Sequence, residues 1–153
     1  MSTLKSAALA NYLAVNGSYR AALNSGFIQI FSGPVPATAD AALTMGGGGN
    51  TLLATISVGG DGTTGLTFDA SATGGVLTKT ASENWEGPIG ATGTASFFRF
   101  CPTADNGQGA ADPTTGYRLQ DTVGLDASSG LILTSTSFVS GNTQTISLFQ
   151  VFT

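Results

Sequence analysis

The stretch GTASFFRFCP, residues 93–102, decides how this chain is interpreted, because it holds three phenylalanines, one arginine and the only cysteine. In an extended strand Phe98 and Phe100 share one face, and Arg99 lies on the other. Aromatic side chains at every second position are typical of a packed strand. A catalytic interpretation would make Cys101 a nucleophile, but the chain contains no histidine to activate it. The stretch therefore predicts a core strand in which Cys101 is a small buried residue.

The composition around this strand is that of a neutral chain rich in small residues. Its 153 residues suffice for one domain with a hydrophobic core. Charged residues make up 9%, against roughly 25% in ordinary soluble domains. The apolar runs are far shorter than the ~20 residues of a membrane helix, so we expect no membrane association.

The charges and the single cysteine exclude several classes of partner and cofactor. The net charge is −4 and the five basic residues are scattered, so nucleic acid is not an expected partner. One cysteine allows no intrachain disulfide and no thiolate metal cage. Without histidine the usual catalytic triads are impossible, and we expect neither an enzyme nor a cofactor. No signal peptide is recognisable, which favours folding in a cytoplasm.

The N-terminal residues predict a short helical segment. Residues 2–14 carry apolar side chains at helical spacing, which form one stripe. The stripe consists of Leu4, Ala8, Leu9, Tyr12 and Leu13. Gly17 interrupts the pattern, and Ser18 can cap a second short helix that ends at residue 23.

The rest of the chain alternates short β-type runs with turn residues, which predicts about eight strands. They cover residues 27–32, 51–58, 66–68, 76–79, 95–100, 117–123, 131–133 and 143–151. This spacing favours a mainly β fold, a single jelly-roll-like antiparallel β-sandwich. The predicted organisation is an N-terminal helical segment over residues 1–25 and a β-sandwich domain over residues 26–153. The last strand is apolar on both faces near its end, so it needs cover from the helical segment or from a neighbouring subunit.

The remaining candidate sites favour structural roles. Glu83 and Glu86 flank Trp85, and paired carboxylates beside an aromatic ring can indicate a sugar site. Both lie on one short predicted loop, however, which favours Trp85 as an anchor at a loop or a subunit contact. The acidic loops around Asp61 and Asp112 lack the spacing of an EF-hand, so no metal site is predicted.

The order of the sequence motifs resembles a family of small virion proteins of tailed bacteriophages. The resemblance rests on GFIQIFSGPVPATADAA (26–42), on NTLLATISV (50–58), on the segment from NWEGP to GTASFFRF (84–100) and on the Ser/Thr-rich end GLILTSTSFVSGNTQTISLFQVF (130–152). It covers nearly the whole chain, and none of its motifs carries a catalytic residue. The loop at 103–116 matches no motif of the family.

The resemblance implies a structural role in the virion, that of a capsid cement or decoration protein. Such a protein is made in the host cytoplasm and binds the outer surface of the capsid, where it stabilises contacts between major capsid proteins. The implied partners are the major capsid protein and further copies of the chain, as a homodimer or homotrimer. Candidate residues for an oligomer or capsid interface are Leu4, Leu9, Tyr12, Leu13 and Trp85. An equally weighted alternative places all five in the domain's own core.

Two other functions stay open at this point. A tail, neck or fibre component would have the same composition but far fewer copies per particle. A carbohydrate-binding β-sandwich module would need several exposed aromatic side chains on one face, and the chain has one tryptophan and three tyrosines.

Overall fold

The computed structural model describes residues 3–152 and is mainly β, with two short helices. The helices are α1 (Ala7–Val15) and α2 (Tyr19–Leu23). The strands are β1 (Leu4–Lys5), β2 (Phe27–Ser32), β3 (Thr51–Val58), β4 (Val76–Thr78), β5 (Trp85–Pro88), β6 (Gly93–Cys101), β7 (Leu119–Gly124), β8 (Leu131–Ile132), β9 (Ser137–Phe138), β10 (Thr143–Ile146) and β11 (Gln150–Phe152).

Within these residues the strands form one large sheet and one small one. The large sheet has nine strands, in the order β1-β7-β6-β2-β3-β5-β10, with β8 added to β7 and β9 to β6. The small sheet pairs β11 with β4. The pairs along the large sheet and in the small one are antiparallel, whereas β8 runs parallel to β7. The prediction of a mainly β, antiparallel fold with a short helical start is confirmed, and the jelly-roll arrangement stays a prediction.

The first helix begins later than predicted, because Leu4 and Lys5 pair with β7 instead of continuing the helix. Ser6 then caps α1, and its hydroxyl accepts a hydrogen bond from the Leu9 amide. The second helix is as predicted: it begins after Ser18, whose side chain accepts from the Ala21 amide.

Two predicted strands, 27–32 and 51–58, match the structure residue for residue. The run at 66–68 forms only isolated bridges, and the last predicted strand divides into β10 and β11. It divides because the chain changes partner: Ile146 still pairs with Trp85 on β5, whereas Val151 pairs with Leu77 on β4. Between the two strands Phe149 is 3% exposed, within the core.

One face of the large sheet supplies the hydrophobic core. Ile28 and Ile30 of β2 lie on this face, beside Phe98 and Phe100 of β6. The core centre is an aromatic cluster whose neighbouring rings lie 5.5–6.2 Å apart. Its members are Phe68, Trp85, Phe98, Phe100 and Phe149. Leu9 of α1 and Leu23 of α2 pack into the same core, so the helical segment and the strands share one interior.

The opposite face of the sheet is also buried, beneath the loops at 33–50 and 102–118. Phe31 and Phe97 stack on this face with their ring centres 5.1 Å apart. Arg99 is fully buried on the same face, as the alternation in the sequence predicts. The predicted burial of Cys101 is confirmed as well.

Candidate functional site

The predicted contact residues of the N-terminal segment differ in how much surface they keep. Leu9 is fully buried in the hydrophobic core, as expected from the alternative that placed the candidate interface residues in the domain's own core. Leu4, Tyr12 and Leu13 are half-buried and still present surface to a partner. The Tyr12 ring packs on Tyr117, with 5.0 Å between the ring centres and the planes tilted by 43°. An interface role for Leu4, Tyr12 and Leu13 stays a prediction.

Trp85 belongs to the interior rather than to a surface loop. It begins strand β5 and none of its surface is exposed, so it cannot touch another subunit in this conformation. Phe68 lies edge-on to it at 5.6 Å, and Phe149 lies at 5.7 Å. Its indole nitrogen donates a 2.7 Å hydrogen bond to Glu83, so Trp85 does anchor the preceding loop.

The Glu83 carboxylate serves as a hydrogen-bond acceptor around Trp85. It accepts from the amide and the hydroxyl of Thr67 as well as from the indole. Burial alone would raise the pKa of Glu83, but the Thr67 and Trp85 hydrogen bonds and the nearby charge of Lys79 outweigh it and lower that pKa. A carboxylate held ionised in this way is a poor general acid. This geometry supports the structural interpretation of the glutamate pair.

The most concentrated group of charges lies under the two loops that cover the outer face of the large sheet. Arg118 is 1% exposed and pairs with Asp105 through two hydrogen bonds of 2.6 and 2.8 Å. Its third nitrogen, Nη1, donates to the Ala39 carbonyl oxygen at 3.3 Å. The pair therefore joins loop 102–118 to loop 33–50.

Arg99 continues this network without a carboxylate among its hydrogen-bond partners. It donates to Gln120 at 2.8 Å, to the Gly107 carbonyl at 2.7 Å and to the Thr38 carbonyl at 3.3 Å. Gln120 in turn donates to the Pro36 carbonyl at 2.9 Å. This network was not predicted from the sequence. The signal for it was an arginine between phenylalanines on a core strand, because a buried guanidinium group needs hydrogen-bond partners.

This network holds the two loops on the sheet and has no catalytic chemistry of its own; we call Arg99, Arg118 and Asp105 the clamp. Burial first, and then the nearby Arg118 charge, lower the pKa of Arg99 to about 10, so it stays a cation at neutral pH. Its donors are directed at protein acceptors rather than at a cavity. Burial raises the pKa of the Cys101 thiol to about 12, so the thiol stays protonated and is a poor nucleophile.

Other candidate sites carry little chemistry in the part of the chain that the structure describes. Residues 3–152 contain no group of three or more histidine, cysteine, aspartate or glutamate side chains arranged to hold a metal. Neither of the two helices there has the length and apolar character needed to cross a membrane. Every buried polar side-chain atom of these residues has a hydrogen-bond partner.

The surface is where this molecule departs from an ordinary soluble domain. Phe152 is 60% exposed and Leu148 57% exposed, both within the run from 143 to 152, which carries no charge. This run supplies β10, an edge of the large sheet, and β11 of the small sheet. Natural edge strands usually carry charges or proline that prevent pairing with other chains. Leu148 lies between the two strands and Phe152 lies in β11, so both exposed apolar side chains belong to a run that lacks such charges.

Comparisons of the chain with protein-family models, with curated proteins and with solved structures gave no match. The function of the chain is therefore inferred from the residues, the fold and the surface described above.

Proposed function

We propose that this protein is a structural component of a tailed-bacteriophage virion, a cement or decoration protein that binds the outer surface of the head. The observation that carries the proposal is the uncharged run 143–152, which supplies an edge strand to each of the two sheets and exposes Leu148 and Phe152. The motif order that resembles small virion proteins supports the same role. The implied partners are the major capsid protein and further copies of this chain, as a dimer or trimer.

The proposed mechanism is adhesion. Strand edges and exposed apolar side chains contact neighbouring capsid subunits, and apolar surface that leaves water stabilises the contact. The clamp of Arg99, Arg118 and Asp105 holds the covering loops on the sheet, so the domain meets its partner as a preorganised body. We further propose that the two sheets form a jelly-roll-like sandwich around the aromatic cluster.

The aromatic side chains lend less support to the carbohydrate-binding alternative. Trp85 is fully buried. Tyr12 and Tyr117 pack on each other with tilted planes rather than forming one flat surface for a sugar ring.

The test is reconstitution on phage heads that lack this protein. Purified protein is mixed with the heads, the heads are sedimented and the bound copies are counted. Saturable binding at hundreds of copies per head is expected. Leu148→Ser combined with Phe152→Ser should weaken binding, whereas Leu125→Ser, at a position 62% exposed just after β7, serves as the matched control. Absence of binding to the shell would overturn the cement role and favour the tail, neck or fibre alternative.

A further inference from the structure

A cleft of about 340 Å³ opens between β1 and β11. Its floor consists of buried apolar side chains, among them Phe98, Leu119 and Val151. Lys5 and the exposed ring of Phe152 lie on its rim. The cleft thus combines an apolar floor with a rim that a ligand can reach.

The cleft lies between two strands that each have an unused edge within residues 3–152. There, β1 pairs only with β7 and β11 pairs only with β4. An unpaired edge presents free backbone donors and acceptors, which an added extended segment can satisfy. No charged side chain on β11 opposes such pairing.

The charge on the rim constrains what such a segment carries. Lys5 is the one charged residue among those lining the cleft, whereas the nearby Asp121 carboxylate is 6% exposed and already accepts a hydrogen bond from Thr3. It is exposed, and it forms no ion pair with any carboxylate in the described part of the chain. An acidic side chain on the added segment would complement it.

We propose that the cleft binds an extended, largely apolar segment of another protein, which adds to β11 as a strand and places an acidic side chain beside Lys5. A second copy of this chain is a poorer source, because each strand that the structure describes within residues 3–152 is already paired in one of the two sheets. If the proposed function holds, the segment belongs to the shell protein; that assignment rests on the proposed function, whereas the peptide chemistry does not.

The probe is a blocked heptapeptide of alternating valine and threonine with an aspartate at one end. Its valines can all face the cleft floor, because alternate residues of a strand share one face. Binding is measured by titration into ¹⁵N-labelled protein, and we expect shifts confined to β1, β11 and their neighbours. A peptide N-methylated at alternate residues loses strand hydrogen bonds and should bind at least tenfold more weakly. Equal binding of both peptides, or no shift at millimolar peptide, would overturn the proposal.

Two exposed positions on the rim separate the charge from the apolar contribution. Lys5→Glu should lower the affinity for the aspartate peptide about threefold to tenfold, as expected for an exposed ion pair. The same variant should raise the affinity for a peptide with lysine in place of the aspartate. Phe152→Ser should lower the affinity for both peptides. Val139→Ser, at a position 49% exposed that does not line the cleft, should change neither. An unchanged affinity for both peptides in Lys5→Glu would contradict the charge assignment.

One of these variants, tested on phage heads, distinguishes this inference from the proposed function. The head-binding comparison uses Lys5→Glu alone, because Phe152 also belongs to the surface on which the proposed function rests. If wild type binds heads and Lys5→Glu binds them at least threefold more weakly, the shell segment occupies the cleft. If wild type and Lys5→Glu bind equally well, the shell assignment of the cleft is wrong and the cement role stands. If wild type does not bind heads but binds the peptide, the proposed function fails and the cleft chemistry stands.

Discussion

Replacing Asp105 by alanine should destabilise the fold far more than a typical surface substitution does. Its carboxylate holds Arg118, which is 1% exposed, through hydrogen bonds of 2.6 and 2.8 Å. Arg99, fully buried nearby, has no carboxylate among its hydrogen-bond partners. Without Asp105 neither guanidinium group has a carboxylate among its hydrogen-bond partners, and Asp40 is left as a nearby negative charge. Breaking such a pair from one side costs about 3–5 kcal/mol. Because the Asp105 side chain is 19% exposed, water can enter its place, and we expect a cost near 3 kcal/mol.

The free energy of unfolding is measured by urea titration, since urea adds no salt to screen the charges. Arg118→Met and the double variant with Asp105→Ala complete the cycle. The double variant should be more stable than Asp105→Ala alone, because it leaves no unpaired charge at position 118. A cost below about 1 kcal/mol for Asp105→Ala, or a double variant that loses the sum of the single costs, would refute this account of the pair.

The same pair makes stability depend on pH in acid. Burial alone would raise the pKa of Asp105, but the Arg118 and Gly107 hydrogen bonds and the arginine charges outweigh it and lower that pKa. The folded pKa therefore lies below the unfolded value of about 3.9. The ionised Asp105 carboxylate makes its full contribution to the free energy of unfolding above the unfolded pKa. That contribution is lost as pH falls through the folded pKa. The difference in unfolding free energy between wild type and Asp105→Ala should accordingly shrink below about pH 4.

Three further predictions concern the core. Trp85→Phe loses core volume and the hydrogen bond to Glu83, and should cost about 2 kcal/mol in urea unfolding; a loss under about 0.5 kcal/mol would contradict the anchor role. Gly87→Ala should lower the free energy of unfolding by at least about 2 kcal/mol, because a Cβ at this position would overlap a backbone carbonyl of β3. Gly90→Ala is the control: the space around Gly90 is open, so the loss should stay under about 0.5 kcal/mol. Cys101 should react with a thiol reagent only after denaturation, because it is fully buried; rapid reaction of the native protein would show that the strand opens.

The two strands that were predicted residue for residue are β2 and β3. Residues 27–32 and 51–58 combine β-branched and aromatic side chains with flanking turn residues, so local pattern and tertiary packing agree. The second helix was equally predictable, because a single serine at 18 satisfies its first amide groups.

The elements that the sequence did not predict depend on distant partners. Leu4 extends the apolar stripe of the helix, yet pairing of Leu4 and Lys5 with β7 makes them a strand. Trp85 stands among turn residues, and its burial depends on Phe68 and Phe149 from elsewhere in the chain. Such contacts between segments far apart in the sequence leave no periodic signal.

In the candidate site, too, the local strand pattern was predictable from the sequence and the contacts with distant loops were not. The alternation of residues 93–102 placed Arg99 on the face opposite Phe98 and Phe100, as observed. Its partners lie in loops at 33–50 and 102–118, which have no regular pattern. The absence of charge from the run 143–152 was visible in the sequence, but the division of this run into two strands was not.

The most direct test of the central claim is the number and position of copies in the infectious particle. Quantitative mass spectrometry against the major capsid protein gives the number, and electron cryomicroscopy of the heads gives the position. The account predicts hundreds of copies arranged with the symmetry of the shell on its outer surface. A few to a few tens of copies, located at a vertex, the neck or a fibre, would contradict it.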